Sequence, residues 1–165
     1  MSTNQKSGCL TAFINRLFPP KKAEPHFPYA KCDHFLSAAE LSFYHVLRST
    51  ISEQHTLLTK VNLGDVFYVQ QPHKNVGARN RIDRKHVDFL ICDAKTMEPL
   101  LGIELDDSSH QKKKQQEKDA LKDAVFAAAK LPLLRIKAAR SYVPQDLRKA
   151  IEERLKNTPC ISAFT

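Results

Sequence analysis

The sequence has four cysteines, Cys9, Cys32, Cys92 and Cys160, and no two of them form a C-x-x-C pair. A zinc ribbon therefore lacks its ligand set, and so scattered a pattern requires no disulfide framework. Cys32 and His34 stand two apart, but no second ligand pair follows at finger-like spacing. Reduced thiols in a cytoplasmic protein are the expectation. Long apolar runs are missing as well: nothing approaches the roughly 18 consecutive apolar residues that span a bilayer. The segment from Cys9 to Phe18 is interrupted by Asn15 and Arg16, lacks a small-residue cleavage site and runs straight into Pro19, Pro20, Lys21 and Lys22. It reads either as a short amphipathic helix that docks through Phe13, Ile14, Leu17 and Phe18, or as a mobile tail. No internal repeat is visible.

What is present is an ordinary globular composition with a basic excess. The chain has 165 residues, 42% of them hydrophobic and 27% charged, enough for one domain with a core and some terminal sequence. Against 18 Asp and Glu there are 26 Lys and Arg, a formal net charge of +8. That bias favours an anionic partner, and nucleic acid is the commonest one for a soluble protein.

Residues 1–34 read as a flexible extension, 35–157 as the folded domain and 158–165 as a tail. Ser37 and Glu40 form a capping-box pattern opening a helix to about Ser49, with Leu41, Tyr44 and Val46 or Leu47 on its buried face. Partial alternation from Thr56 to Leu63 indicates a strand; Gly64 to Val69 suggests a helical turn. Gln70 to Lys85 is polar and basic and is expected to be a long exposed loop. Val87 to Cys92 and Leu100 to Leu105 are strands, and the turn chemistry from Asp93 to Pro99 makes them a hairpin. A helix follows from Lys112 to Lys130 with Leu121, Val125 and Ala128 as its buried stripe. A short strand, Leu131 to Ile136, precedes a helix from Pro144 to about Leu155, which buries Leu147, Ile151 and Leu155. This order predicts an α/β sandwich on a mixed central sheet.

Alternation along the hairpin decides where its acids point. Val87, Phe89 and Ile91 share one face and Asp88 takes the other. Likewise Leu101, Ile103 and Leu105 leave Glu104 and Asp106 opposite. A turn centred on Thr96 or Met97 places Asp88 across from Glu104 or Asp106, so all three acids meet on one patch. Crowded carboxylates repel, and burial raises their pKa values. A hard divalent ion such as Mg²⁺ or Mn²⁺ removes that conflict, and can activate water and stabilise charge on a scissile phosphate. Asp106 has a plainer alternative as the start of the loop running into Asp107, Ser108 and Ser109. Glu104 has less of one, lying inside an apolar run.

Val87-Asp88-Phe89-Leu90, followed by the run from Gly102 through Glu104 and Asp106 to His110, resembles an uncharacterised bacterial family (domain of unknown function 2726) of the PD-(D/E)XK nuclease superfamily. It is similar, more distantly, to the very-short-patch-repair endonucleases. The resemblance covers roughly residues 35–137. It implies a restriction endonuclease-like, three-layer α/β/α fold with Asp88 and Glu104 as metal-binding acids. Asp106 stands where the motif lysine would be. In this superfamily the lysine can come from elsewhere, and Lys118 and Lys122 are candidates on the following helix, Lys122 the favoured one. Glu40 corresponds to a first-helix acid that often completes such a site, and His110 is a candidate acid, base or phosphate contact. The plainer readings are a solvated helix face for the lysines, a cap for Glu40 and an exposed loop residue for His110.

Arg79, Arg81, Arg84, Lys85 and the run Lys112, Lys113, Lys114 flank the acidic strands and are the expected phosphate contacts, unless they form only a solvated charged face. Two functions follow. One is a Mg²⁺- or Mn²⁺-dependent nuclease, first of all on DNA. The other is a nuclease-like module that binds nucleic acid or a partner without chemistry, which the absent motif lysine favours.

Overall fold

The computed structural model describes residues 26–106 and 113–156, and the side chains of these except 113–118. The chain divides into two compact units, Met1–Asp33 and His34–Thr165. In the first, the described stretch from His26 to Asp33 carries no helix or strand, and the exposed rings of Phe27 and Tyr29 stack with centroids 6.4 Å apart. The apolar segment from Cys9 to Phe18 lies outside the described residues.

The second unit opens with α1, Ala38–Thr50. Its capping box forms: the Ser37 amide donates to Glu40 Oε2 at 2.6 Å, and the Glu40 amide donates to Ser37 Oγ at 3.3 Å. The buried face is turned from the one expected. Phe43 and Leu47 are its core residues and Leu41 is largely exposed. The i, i+4 pair of large side chains that reaches the sheet fixes the rotation, and Phe43 is the bulkier anchor.

Strand β1, His55–Asn62, leads into a single turn of helix, α2, Leu63–Val66, which Asn62 caps by accepting from the Gly64 amide at 2.7 Å. The expected loop from Gln70 to Lys85 contains a helix, α3, Ala78–Ile82. Its entry is Gly77 at φ 82°, a left-handed conformation that glycine adopts at little cost, and it is fastened by buried Ile82 and an Arg79–Asp83 ion pair. Then come β2, His86–Asp93, and β3, Pro99–Asp106. In the turn between them Asp93 Oδ1 accepts from the amides of Lys95 and Thr96, and Met97 sits at φ 61°. Helix α4, Lys113–Ala128, strand β4, Leu133–Lys137, and helix α5, Pro144–Lys156, complete the unit.

The architecture is α/β, with a four-stranded mixed sheet in the order β1-β2-β3-β4. The first two pairings are antiparallel; β3 and β4 run parallel, and α4 makes the long connection that parallel neighbours need. Phe43 and Leu47 of α1 and Leu147 and Ile151 of α5 form one core with Phe89, Ile91, Leu101 and Ile103. Leu90 and Cys92, the alternate residues of β2, join a second core with Phe126 of α4 and with Leu63, Phe67 and Ile82. Val87, expected on the face of Phe89 and Ile91, packs in this second core instead. Among the described side chains of α4 Phe126 is the fully buried one, while Ala128, expected in its stripe, is exposed.

Candidate functional site

The β2–β3 register decides which acids meet. Phe89 pairs with Ile103 and Leu90 with Gly102, so one step further along the ladder sets Asp88 opposite Glu104. The C-terminal ends of β1, β3 and β4 and the N-terminal end of β2 share one edge of the sheet, and the acids gather there.

Lys122 reaches Glu104 because of a matched pair of spacings. On β3, Gly102 and Glu104 are two residues apart on one face, about 6.8 Å. On α4, Phe126 and Lys122 are four apart on one face, about 6 Å. Phe126 seats on Gly102, where an added Cβ would stand 2.4 Å from Cε1 of the ring. One step along, Lys122 Nζ donates to both carboxylate oxygens of Glu104, at 2.7 and 2.6 Å. The missing side chain at Gly102 thus lets the helix approach closely enough for the ammonium to arrive.

Glu104 is only 5% exposed. Burial pushes its carboxyl up to about 7, although the Lys122 charge and hydrogen bonds pull it down and neighbouring Asp88 pushes it further up. Burial also raises Asp88, against the Leu105 amide, which donates to Asp88 Oδ2 at 2.9 Å, and the charge of Lys122. Glu40 serves two ends. Its Oε2 completes the helix cap and its Oε1 meets Lys60 Nζ at 3.0 Å, while its charge acts on Asp88. Burial raises the Glu40 carboxyl, but the Ser37 amide and Lys60 outweigh it and hold it below the usual value.

Asp106 is occupied differently. Its Oδ1 accepts from Arg135 Nη1 at 3.0 Å, and the same guanidinium bonds Asp123 at 2.9 and 3.1 Å and approaches Asp119 at 3.9 Å. Among the described residues no three of His, Cys, Asp and Glu converge to hold a metal ion. Asp88 and Glu104 are the pair whose chemistry fits one: two oxygen donors, both pushed toward the neutral form by burial, beside a hard cation that needs one or two carboxylates and keeps its waters.

Arg79, Arg81, Arg84 and Lys85 lie on or just after α3, immediately before β2. Arg81 and Arg84 are exposed with no ion pair among the described residues, whereas Arg79 is committed to Asp83. His110 and Lys112 lie outside the described residues, as do the side chains of Lys113, Lys114 and Lys118. A cleft of about 1040 Å³, lined by Val66, Phe67, Tyr68, Val125 and Leu131 among others, contains none of these carboxylates. Sequence reasoning missed Lys60 and Arg135. Arg135 had a signal, the same as Glu104: one charge inside an apolar strand.

The sequence model of a family described as protein of unknown function (DUF2726) matches residues 33–155. No curated protein and no solved structure matches the chain.

Proposed function

The chain belongs to the DUF2726 family, and from the site itself we propose that it is a nuclease that hydrolyses phosphodiester bonds of DNA with the help of Mg²⁺ or Mn²⁺. The observation that carries this reading is the meeting of Asp88, Glu104 and Lys122 at one edge of the sheet. Two further features support it. The order α1, three antiparallel strands, α4 and a parallel strand, with α1 and α5 in one core and α4 in the other, suits a three-layer, restriction endonuclease-like fold of the PD-(D/E)XK superfamily. And a lysine on the helix after the acidic strand supplies what position 106 lacks.

Asp88 and Glu104 are the residues that would hold the divalent ion, which when bound supplies a water of lowered pKa and neutralises charge on the phosphate. The Leu105 amide orients Asp88 for that task. Lys122 holds Glu104 in place and presents its ammonium where charge develops on the phosphate. Arg81 and Arg84 are the phosphate contacts that position a duplex without reading bases.

The test is cleavage of plasmid and labelled oligonucleotides in Mg²⁺ or Mn²⁺ by the wild type and by Asp88→Ala, Glu104→Ala and Lys122→Ala. Metal-dependent cleavage that falls by about 100-fold or more in each variant is expected. Full activity in the two acid variants, or no cleavage of DNA or RNA by the wild type, contradicts the reading. The ion pair between Asp106, at the motif-lysine position, and Arg135 favours a second one, a binding module without chemistry. That module binds nucleic acid in a salt-sensitive way and leaves it intact.

A further inference from the structure

Lys60 occupies an improbable place for a lysine. It lies inside β1 at φ 50°, a left-handed conformation that residues with a Cβ rarely hold without compensation. Its position is also singular. Thr59 pairs with Phe89 and Val61 with Val87, so Lys60 stands directly across from Asp88, and there the ladder lapses. A regular strand would aim the lysine at its cross-strand partner. The twisted backbone instead seats Nζ 3.0 Å from Glu40 Oε1, while its charge still acts on Asp88.

Two ion pairs act on Asp88 at this edge of the sheet. Lys122 bonds both oxygens of Glu104, and Lys60 meets Oε1 of Glu40, whose Oε2 stays with the Ser37 amide. With all three acids ionised, three negative and two positive charges leave −1. One divalent ion and one phosphodiester add +2 and −1 and bring the site to zero. A second divalent ion would leave it at +2.

Resting on the nuclease reading above, we infer that Lys60 is a built-in cation of the site, taking the place a second metal ion would fill between Glu40 and Asp88 and limiting the protein to one divalent ion. The backbone conformation at residue 60 holds the ammonium in that place. Lys60 is a positioning residue: it acts through the two carboxylates.

The test is calorimetric titration of Mn²⁺ into the full chain at pH 8, without nucleic acid, for the wild type, Lys60→Met and Lys60→Gly, each with its melting temperature. The wild type is expected to bind one Mn²⁺. Both variants are expected to bind a second, with total affinity raised about tenfold by loss of the neighbouring positive charge. Lys60→Gly, relieved of the left-handed φ, should melt about 3 °C above Lys60→Met and bind Mn²⁺ identically, separating the charge from the backbone. Two Mn²⁺ in the wild type, or one in both variants at affinities within twofold of it, overturns this inference and leaves the nuclease reading standing. No Mn²⁺ in the wild type overturns the metal site itself, and this inference with it.

Discussion

Glu104 holds its proton more tightly in the folded chain than in the unfolded one, since burial pushes it from 4.5 to about 7. Its contribution to stability is therefore fully present below about pH 4.5 and is lost as pH rises through 7. The swing is about 3 kcal/mol as an order of magnitude. Asp88, raised by the same burial, adds a loss of the same sign above its ordinary value of 3.8. Denaturant unfolding of the metal-free protein should show stability falling across this window. Glu104→Gln, neutral at every pH and of the same shape, should flatten most of that fall. A divalent ion needs the anion, so stabilisation by Mg²⁺ should grow from pH 5 to pH 8 in the wild type and be absent in the variant. An equal slope in wild type and Glu104→Gln would show that Glu104 ionises freely. At this scale the pairing of Asp88 with Glu104 could be read from sequence, because the turn fixes the register to within one pair. The commitment of Asp106 to Arg135 and the packing of Val87 away from Phe89 could not. Nor could Lys60: a left-handed φ leaves no trace in residue type unless the residue is glycine or asparagine.

Between α4 and β3 the geometry rests on Gly102. A Cβ there would stand 2.4 and 2.8 Å from ring atoms of Phe126, which is buried and braced edge-on by Phe67 at 4.9 Å. Gly102→Ala should cost about 1–3 kcal/mol of stability, measured by denaturant unfolding, as the ring or the helix gives way. Because Lys122 rides one turn from Phe126 on the same helix face, Mn²⁺ affinity and cleavage should change with it. A variant with wild-type stability and metal binding would show that α4 does not depend on this contact. Arg135 is the other tether, joining Asp106 of β3 to Asp123 of α4. The succession of helices and strands was legible because each has its own hydrophobic period, and the boundaries fell within a few residues. The rotation of α1 and α4 was not. Aliphatic spacing pointed to Leu41 and Ala128, whereas the aromatic rings of Phe43 and Phe126 fill the cores. Helix α3 was hidden by its polar composition, with Ile82 its one buried residue.

A formal charge of +8 belongs to the whole chain, and what matters for nucleic-acid binding is how much of it stands free near the carboxylates. Arg79 is neutralised by Asp83, Lys60 by Glu40 and Lys122 by Glu104, so these lysines and this arginine add little to a long-range field. Arg81 and Arg84 are exposed, have no ion pair among the described residues and lead directly into the strand that carries Asp88. On the nuclease reading proposed above they would hold a phosphate backbone over the acidic edge, where the charge of Asp88 would otherwise repel it. Binding of a duplex oligonucleotide should therefore weaken as salt rises, each phosphate contact contributing about 0.9 to the log–log slope. The Arg81→Ala, Arg84→Ala double variant should lower that slope by about 2, while Arg79→Ala leaves it nearly unchanged. Fluorescence anisotropy from 50 to 200 mM salt, with Asp88→Ala in the background to prevent cleavage, reads both. A slope that ignores Arg81 and Arg84 would make the α3 segment only a solvated surface, and the positive charge that meets the backbone would have to be sought in another part of the chain.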